Sequence, residues 1–244
     1  MTLPAVDWAQ PWLAPYRAHG ETAAEATRHT SVAAALQAAK PASVPDFMRQ
    51  DSLPAGQAYE AHIFQTRTVP TRDNLHDFFN GLVWLAFPQA KRRLNELQAA
   101  EIDRTGIGAT RGPLRDALTL FDENGAVFDA PPALWKALVA RDWPTLFVTQ
   151  RALWSEARLL VFGHALLEKL VSPRKAATAH VLLPLPDADR STALDDAALA
   201  QSLDPQRLAQ KPFVPLPVLG IPGWCADNVS AEYYDDPKVF RPRP

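Results

Sequence analysis

Residues 150–173 read QRALWSEARLLVFGHALLEKLVSP, and this stretch decides how the rest of the chain is expected to fold. Apolar side chains recur along it at helical spacing on two stripes, with Leu160 and Leu167 on one and Phe162 and Leu166 on the other. A helix that is apolar on more than one side is usually buried by its neighbours. The pattern therefore predicts one long helix at the centre of the domain. Its apolar run is shorter than the roughly 20 residues that a membrane-spanning helix needs.

The composition is that of an ordinary soluble protein, with 47% hydrophobic and 21% charged residues among 244. The formal net charge of −2 implies neither a nucleic-acid footprint nor a polybasic membrane patch, so we expect neither partner. The single cysteine, Cys225, excludes an intramolecular disulfide and a cysteine-based zinc site. The first residues lack a basic segment followed by an apolar core, so we expect a cytoplasmic protein without a secretory signal.

Proline and glycine divide the rest of the chain into further helices. The segment 73–87 predicts one helix and 88–104 the next, with Pro88 at its first position. Lys91, Arg92 and Arg93 indicate a solvated first turn or, because like charges there oppose the helix dipole, a contact with an acidic partner. Two interpretations are open for residues 113–125. The sequence LTLFDENGAVF resembles a β-hairpin around Asn-Gly, whereas a glycine and proline before it and Asn-Gly after it indicate a helix.

These elements predict a mainly α fold: a single helical domain, residues 1–244, around the central long helix, with a few short strands. We expect an N-terminal helical arm at 1–45, a core at 70–203 and an extended proline-rich C-terminal wrap at 204–244. The wrap is expected because its prolines oppose long helices and central strands while its apolar residues oppose disorder.

Several blocks of the chain resemble one known family. These blocks are HDFFNGLVWLAFP at 76–88, RGPLRDALTLFDENGA at 111–126, FGHALLEKLVSPRKAATAH at 162–180, LPVLGIPGWCADN at 216–228 and YYDDPKVFRP at 233–242. They are similar to a bacterial family catalogued only as domain of unknown function 3025. The resemblance covers most of the chain from about residue 70 onward. It implies no activity and no functional residue.

Polar residues within the apolar helices are the candidates for chemistry, because the chain has no phosphate-binding, dinucleotide, nucleophile-elbow or zinc-protease motif. His164 and Glu168 lie one turn apart, and His76 and Asp77 lie in the first turn of the 73–87 helix. If the two helices face each other, two histidines and a carboxylate meet, which suits a divalent metal. A carboxylate can also orient an imidazole as a general base. His76, Asp77, His164 and Glu168 are therefore the candidate catalytic residues.

Simpler interpretations stand beside this one. His164 can be a core histidine bonded to a backbone carbonyl or to Glu168, and Asp77 can favour the positive end of its helix. Asp122 and Glu123 are most simply turn residues. The candidate ligand-binding residues are Arg115, Arg174 and Lys175, whose charge suits an anionic ligand, and His180, as a fifth residue for the pocket of the two histidines. Arg174 and Lys175 can instead complement the negative end of the preceding helix, and His180 lies in a predicted strand at 176–183.

Two functional hypotheses follow. The first is a cytoplasmic enzyme or small-ligand binder with a His/carboxylate pocket between the 73–87 and 150–171 helices, catalysing metal-assisted or acid-base hydrolysis. A divalent metal is then a candidate cofactor, although no specific motif supports it. The alternative is a non-catalytic binding or scaffold protein, suggested by 7 tryptophans and 23 prolines. In either case we expect His164 and Glu168 to be buried and in contact with each other or with a shared third group.

Overall fold

A computed structural model describes residues 3–106, 112–185 and 194–243. The fold is mainly helical. The α-helices are α1 (Arg17–Ala26), α2 (Val32–Ala39), α3 (Tyr59–Thr66), α4 (Leu75–Ala86), α5 (Pro88–Thr105), α6 (Pro113–Asn124), α7 (Pro132–Ala140), α8 (His164–Lys169), α9 (Asp196–Ser202) and α10 (Pro205–Leu208). No helix in these ranges combines the length and apolar character that crossing a bilayer requires.

The strands of the described residues form two small sheets. They are β1 (Asp46–Arg49), β2 (Thr68–Thr71), β3 (Gly125–Asp129), β4 (Arg158–Val161), β5 (Thr178–Leu182) and β6 (Phe213–Pro217). Strands β1 and β2 pair in parallel, and the other four form a sheet in the order β4-β3-β5-β6. Strand β3 is antiparallel to β4 and parallel to β5, and β5 is antiparallel to β6. The strand predicted at 176–183 corresponds to β5.

The predicted long helix at 150–173 is wrong. This segment contains a 3-10 helix at Arg151–Glu156, then β4, then the short helix α8. A short apolar run such as Leu159–Phe162 suits a buried strand as well as a buried helix. Here the backbone pairs with β3, placing Val161 opposite Ala126, and this tertiary pairing overrides the helical periodicity.

Gly163 joins β4 to α8 at a place where only glycine fits. A Cβ on this residue would lie 2.5 Å from the backbone N and Cα of Asn124 and from the carbonyl oxygen of Glu123. No side chain could be accommodated there without moving backbone atoms. The turn therefore lies directly on the last turn of α6, which brings His164 next to the Asp122–Glu123 pair.

The two interpretations of residues 113–125 are resolved in favour of the helix. Helix α6 begins at Pro113 and ends at Asn124, and β3 starts at Gly125. The apolar residues after the Asn-Gly pair do form a strand, but β3 pairs with β4 and β5 rather than folding back as a hairpin.

The C-terminal segment is not one extended wrap as predicted. Helix α10 begins at Pro205 with Asp204 as its N-cap, as the Asp-Pro pair predicts. The departure from the prediction begins with strand β6, which lies at the edge of the larger sheet. Beyond β6, the chain forms successive 3-10 helices at Val218–Gly220, Ala226–Val229 and Ala231–Asp235. Such short turns reconcile frequent prolines with burial, because they need few backbone N–H donors.

Helix α4 takes the central position that the sequence suggested for 150–173. Its side chains Phe78, Phe79, Leu82 and Val83 are fully buried. It packs against α1, α2, α5 and α8. The side chain of Asn74 caps the helix by accepting a hydrogen bond from the backbone N–H of Asp77 at 2.7 Å. The first turn of α4 therefore projects its polar side chains from the edge of the core.

Candidate functional site

Two histidines meet where the first turns of α4 and α8 come together. The Nε2 atoms of His76 and His164 are 3.1 Å apart, and the two rings are edge-to-face with centroids 4.6 Å apart. On the opposite side of its ring, His76 Nδ1 lies 2.9 Å from Glu168 Oε2. An ionised carboxylate only accepts hydrogen bonds, so the hydrogen of a neutral His76 sits on Nδ1 and its Nε2 lone pair points toward His164.

Glu123, at the end of α6, supplies a third group. Its Oε2 is 3.7 Å from His164 Nε2. One ligand atom from each of His76, Glu123 and His164 can be chosen so that all three lie within 4.8 Å of one another. In a tetrahedral zinc site with bonds of about 2.0–2.2 Å, neighbouring ligand atoms are roughly 3.3–3.5 Å apart. The observed separations suit a divalent cation held by three protein ligands.

His164 is suited to be a metal ligand because it stays neutral. Burial lowers its pKa to about 4, and Lys91 and His76 act in the same direction, although Asp122 opposes them. Its Nδ1 lies 3.8 Å from Asp122 Oδ2 and has no hydrogen-bond partner among the described residues. A cation bound at Nε2 would place the ring hydrogen on Nδ1, where it faces that carboxylate.

Asp122 is held in turn by a buried lysine. Lys91 Nζ donates hydrogen bonds to Asp122 Oδ1 at 2.5 Å and to Asn80 Oδ1 at 2.9 Å. Burial raises the pKa of Asp122, but the positive charge of Lys91 and its hydrogen bond outweigh the burial and leave the pKa below its usual value. The prediction that Lys91 belongs to a solvated turn is therefore wrong, since only 5% of the residue is exposed.

The cluster opens into a polar cavity of about 390 Å³. Its walls come from α3, α4, α6 and α8 and from the segments beside them, with these lining residues: Gln50, Tyr59, Glu60, Arg72, His76, Asp77, Asn80, Asp122, Glu123 and His164. A second cavity of about 260 Å³ shares Tyr59, Glu60, Asp122 and Glu123 with it. A small substrate could therefore reach the three ligand atoms.

Glu60 contributes an acid-base group to this cavity. Its Oε2 accepts a hydrogen bond of 2.6 Å from Asn95 Nδ2, which also donates to the Glu60 carbonyl at 2.8 Å. Burial raises the pKa of Glu60 to about 6, with the charge of Asp122 adding to the effect. Lys91 and Arg115 lower it only in part. A carboxyl group with this pKa can exchange a proton near neutral pH.

The four candidate catalytic residues take different places. His76, His164 and Glu168 are joined, with His76 as the third group that the other two share. His164 is buried, but the Glu168 side chain is 38% exposed, so the expected burial of Glu168 is wrong. Asp77 lines the cavity but forms an ion pair with Arg72 at 2.9 Å and accepts the Arg72 backbone N–H at 2.7 Å. Its contacts are those of a structural carboxylate.

The four candidate ligand-binding residues are not brought together, and His180 does not line the cavity beside the histidines. Arg115 lines the second cavity, where its Nε is buried without a hydrogen-bond partner in the described structure. Arg174 is exposed, and Lys175 pairs with Asp236 at 3.4 Å. His180 lies in β5, where burial lowers its pKa. Of these four residues, only Arg115 lines either of the two cavities.

Four residues that the sequence does not assign to the site complete it: Glu123, Asp122, Lys91 and Glu60. The sequence pattern favours turn residues at 122 and 123 and a solvated charge at 91. The available signal was weak: an Asp-Glu pair at the end of an apolar helix face, followed by a glycine that ends the helix. The approach of Asp122 and Glu123 to His164 depends on the close packing at Gly163, which is a contact between distant parts of the chain.

The fold and the cluster together define a mainly helical protein with a two-histidine, one-carboxylate centre beside a polar cavity. Residues 45–244 match the model of the family described as protein of unknown function DUF3025, and the chain belongs to this family. The resemblance noted from the sequence blocks is thereby confirmed. Comparison with curated proteins and with solved structures produced no match.

Proposed function

We propose that this protein is a metal-dependent hydrolase whose divalent cation is bound by His76, His164 and Glu123. The observation that carries the proposal is the convergence of three ligand atoms within 4.8 Å of one another at the edge of a polar cavity. Three protein ligands leave room for a water molecule, which is the arrangement of catalytic rather than structural zinc sites.

The groups behind the ligands support this assignment. Histidine ligands usually donate their second ring N–H to a carboxylate or a carbonyl, which fixes the ring orientation and increases its basicity. Glu168 has this relation to His76 at 2.9 Å, and Asp122 faces the corresponding nitrogen of His164 at 3.8 Å. Lys91 holds Asp122 in place.

Hydrolysis is the reaction that the neighbouring groups favour. A divalent cation held by His76, His164 and Glu123 would supply a water molecule of lowered pKa. Glu60, on the wall of the same cavity, would serve as the acid-base group. It would take up one proton when water adds to an acyl or phosphoryl centre and give it to the leaving group when the bond to that group breaks. One water is consumed, and one acid and one alcohol or amine are released.

The same ligand types also bind Fe(II) in oxygenases, so the identity of the metal distinguishes reaction classes. Glu60 favours hydrolysis because proton transfer near neutral pH requires a group with a pKa close to that range. The scaffold alternative receives less support. The large exposed apolar side chains of the described residues, Phe64, Val139, Val148 and Val229, come from separate elements or turns, and the polar cavity needs a different explanation.

Elemental analysis of protein purified without a histidine tag tests the proposal. We expect about one zinc, manganese or iron ion per chain after loading and gel filtration, and loss of most of it in His76→Ala and Glu123→Gln. A matched control is Glu96→Gln on α5, because Glu96 is a partly exposed carboxylate outside the cluster that forms an ion pair with Arg93 at 3.9 Å. The control should keep its metal. Absence of stoichiometric metal in the wild-type protein after loading with each of the three ions would refute the proposal.

A second measurement separates binding from catalysis. Loaded protein should be assayed on p-nitrophenyl esters and p-nitrophenyl phosphates, which report hydrolysis directly. On any substrate that is turned over, Glu60→Gln should lower kcat by about 10²-fold or more while the metal content stays unchanged. A variant with full activity would remove Glu60 from the mechanism and leave the metal site standing.

A further inference from the structure

A separate cavity of about 340 Å³ lies between the end of α7, the β5–β6 edge of the larger sheet and the C-terminal turn, residues 238–241. It shares no lining residue with the two cavities beside the histidines. Its position matters because part of it is built by the block YYDDPKVFRP at 233–242, to which the proposed hydrolytic site gives no role.

The cavity is positively charged. Three basic residues, Arg141, Lys238 and Arg241, line it, and no acidic residue does. The nearest carboxylates in the sequence have other partners: Asp142 accepts the Thr145 backbone N–H at 3.1 Å. Asp236 likewise pairs with Lys175 at 3.4 Å. Three like charges around one cavity repel one another, so an anion bound between them would be stabilised.

The C-terminal turn is held in position for such a role. Trp143 Nε1 donates a hydrogen bond of 2.8 Å to the Arg241 carbonyl, and Arg241 Nε donates one of 3.1 Å to the Lys238 carbonyl. Phe240 is buried between them and packs edge-to-face on Trp143 at 6.2 Å. Because Arg241 is anchored through Nε, its two terminal nitrogens remain for a ligand.

The rest of the cavity lining is mostly apolar. It includes Pro215 and Pro217 of β6 together with Ala176, Val239 and Trp143, and Thr178 adds one hydroxyl group. A cavity of this volume lies at the lower end of the range for small-molecule sites, which combine apolar walls with a few polar anchors. The anchors here are cationic, and arginine is particularly suited to the geometry of a phosphate group.

We propose that this cavity binds a phosphate monoester whose organic part is apolar or aromatic. Arg241 would form a forked pair of hydrogen bonds to the phosphate oxygens. Lys238 and Arg141 would balance the remaining charge, and the organic part would lie against the two prolines. This site is independent of the proposed metal centre, and each can be disproved without the other.

Calorimetry on chelator-treated protein, with phenyl phosphate as the probe, tests the inference. Removing divalent metal prevents the probe from binding through a metal ion. We expect saturable binding of one phenyl phosphate per chain, weaker binding of inorganic phosphate, and none of phenol. Lys238→Gln and Arg241→Gln should each weaken binding by about tenfold or more, the loss expected for a hydrogen-bonded charged contact. Arg241→Lys, which keeps the charge but loses the fork, should fall between them and the wild type.

Arg174→Gln is the matched control, because Arg174 is exposed and near the cavity in sequence but does not line it. It should bind like the wild type. Lys238 is exposed, so its variant remains informative if Arg241→Gln does not fold. No saturable binding at millimolar phenyl phosphate, or equal binding by wild type and Lys238→Gln, would overturn the inference. Loss of binding in Glu123→Gln alone would also overturn it, by placing the phosphate at the histidine cluster.

Discussion

Replacing Glu60 by glutamine is expected to make the protein more stable at neutral pH. Glutamine keeps an oxygen that can accept the 2.6 Å hydrogen bond from Asn95 Nδ2, and it removes the negative charge. The side chain lies in a cavity where the charge of Asp122 opposes ionisation. Residues whose chemistry conflicts with their surroundings in this way are often retained for function at the expense of stability.

The size of the effect follows from the pKa. Burial raises the pKa of Glu60 from 4.5 to about 6. Below the lower value the carboxyl is protonated in the folded and unfolded chains, and its ionisation costs nothing. As the pH rises through this interval, the unfolded state loses its proton first, so the folded state becomes less stable. The full cost is about 2 kcal/mol above pH 7, at about 1.4 kcal/mol per pKa unit. Solvent in the cavity reduces it, and about 1–2 kcal/mol is expected.

Urea unfolding at several pH values between about 4 and 8 measures this difference. The variant and the wild type should have similar free energies of unfolding at the acidic end, and the variant should gain its advantage between about pH 4.5 and 6.5. Glu101→Gln is the matched control. The hydrogen bond from Arg104 lowers the pKa of Glu101, so its replacement should cost stability at neutral pH and have less effect in acid.

A Glu60→Gln variant that is less stable than the wild type at about pH 8 would show that ionised Glu60 does not destabilise the folded state. A stability gain of equal size at every pH would refute it too, because the effect would then come from packing and not from ionisation. If the variant gains stability and also loses activity on a hydrolysed substrate, the conflict between function and stability at this residue is established.

Three further outcomes are expected. Lys91→Met should lower the free energy of unfolding by about 3–5 kcal/mol, since it leaves Asp122 charged and buried. Combining Lys91→Met with Asp122→Leu should recover part of this loss. A double variant as unstable as the sum of both single variants would contradict this explanation. Tyr16→Phe should cost about 1–2 kcal/mol in urea unfolding, because it removes a buried hydrogen bond of 2.7 Å to the Val161 carbonyl, and an unchanged midpoint would refute that contribution. Gly163→Ala should lower the free energy of unfolding by about 1–3 kcal/mol and lower the metal content, because the Cβ of the alanine would displace the last turn of α6. Full metal binding by this variant would show that the contact at Gly163 does not position the ligands.

Local signals in the sequence predicted the elements that begin and end with strong breakers. Pro88 starts α5 and Pro113 starts α6, as expected for prolines at a first helical position. The sequence also predicts the first turn of α4 and places His76 in it. These predictions succeeded because capping and steric preferences act between residues close together in the chain.

The stretch at 150–173 failed for the opposite reason. Its apolar spacing suits a helix, but Arg158–Val161 pairs with β3, and Phe162 and Gly163 donate hydrogen bonds to the Gly125 carbonyl at 3.0 and 2.8 Å. A strand satisfies its backbone groups through a partner elsewhere in the chain, and periodicity carries no information about that partner. The long helix therefore divides into β4 and α8, and α4 occupies the centre instead.

For the candidate site, the sequence by itself indicated two histidines and a carboxylate, and it placed His76 and His164 on elements that could face each other. Only the folded structure shows that Glu123 lies beside the two histidines, as the proposed third ligand, that Lys91 is buried, and that Glu60 lines the cavity. These features depend on α6 meeting α8 at Gly163, on α5 packing against α6, and on α3 packing against α5, which are contacts between separate elements of the chain. Charge and hydropathy describe one residue at a time, whereas burial and metal geometry are properties of the neighbours that folding brings together.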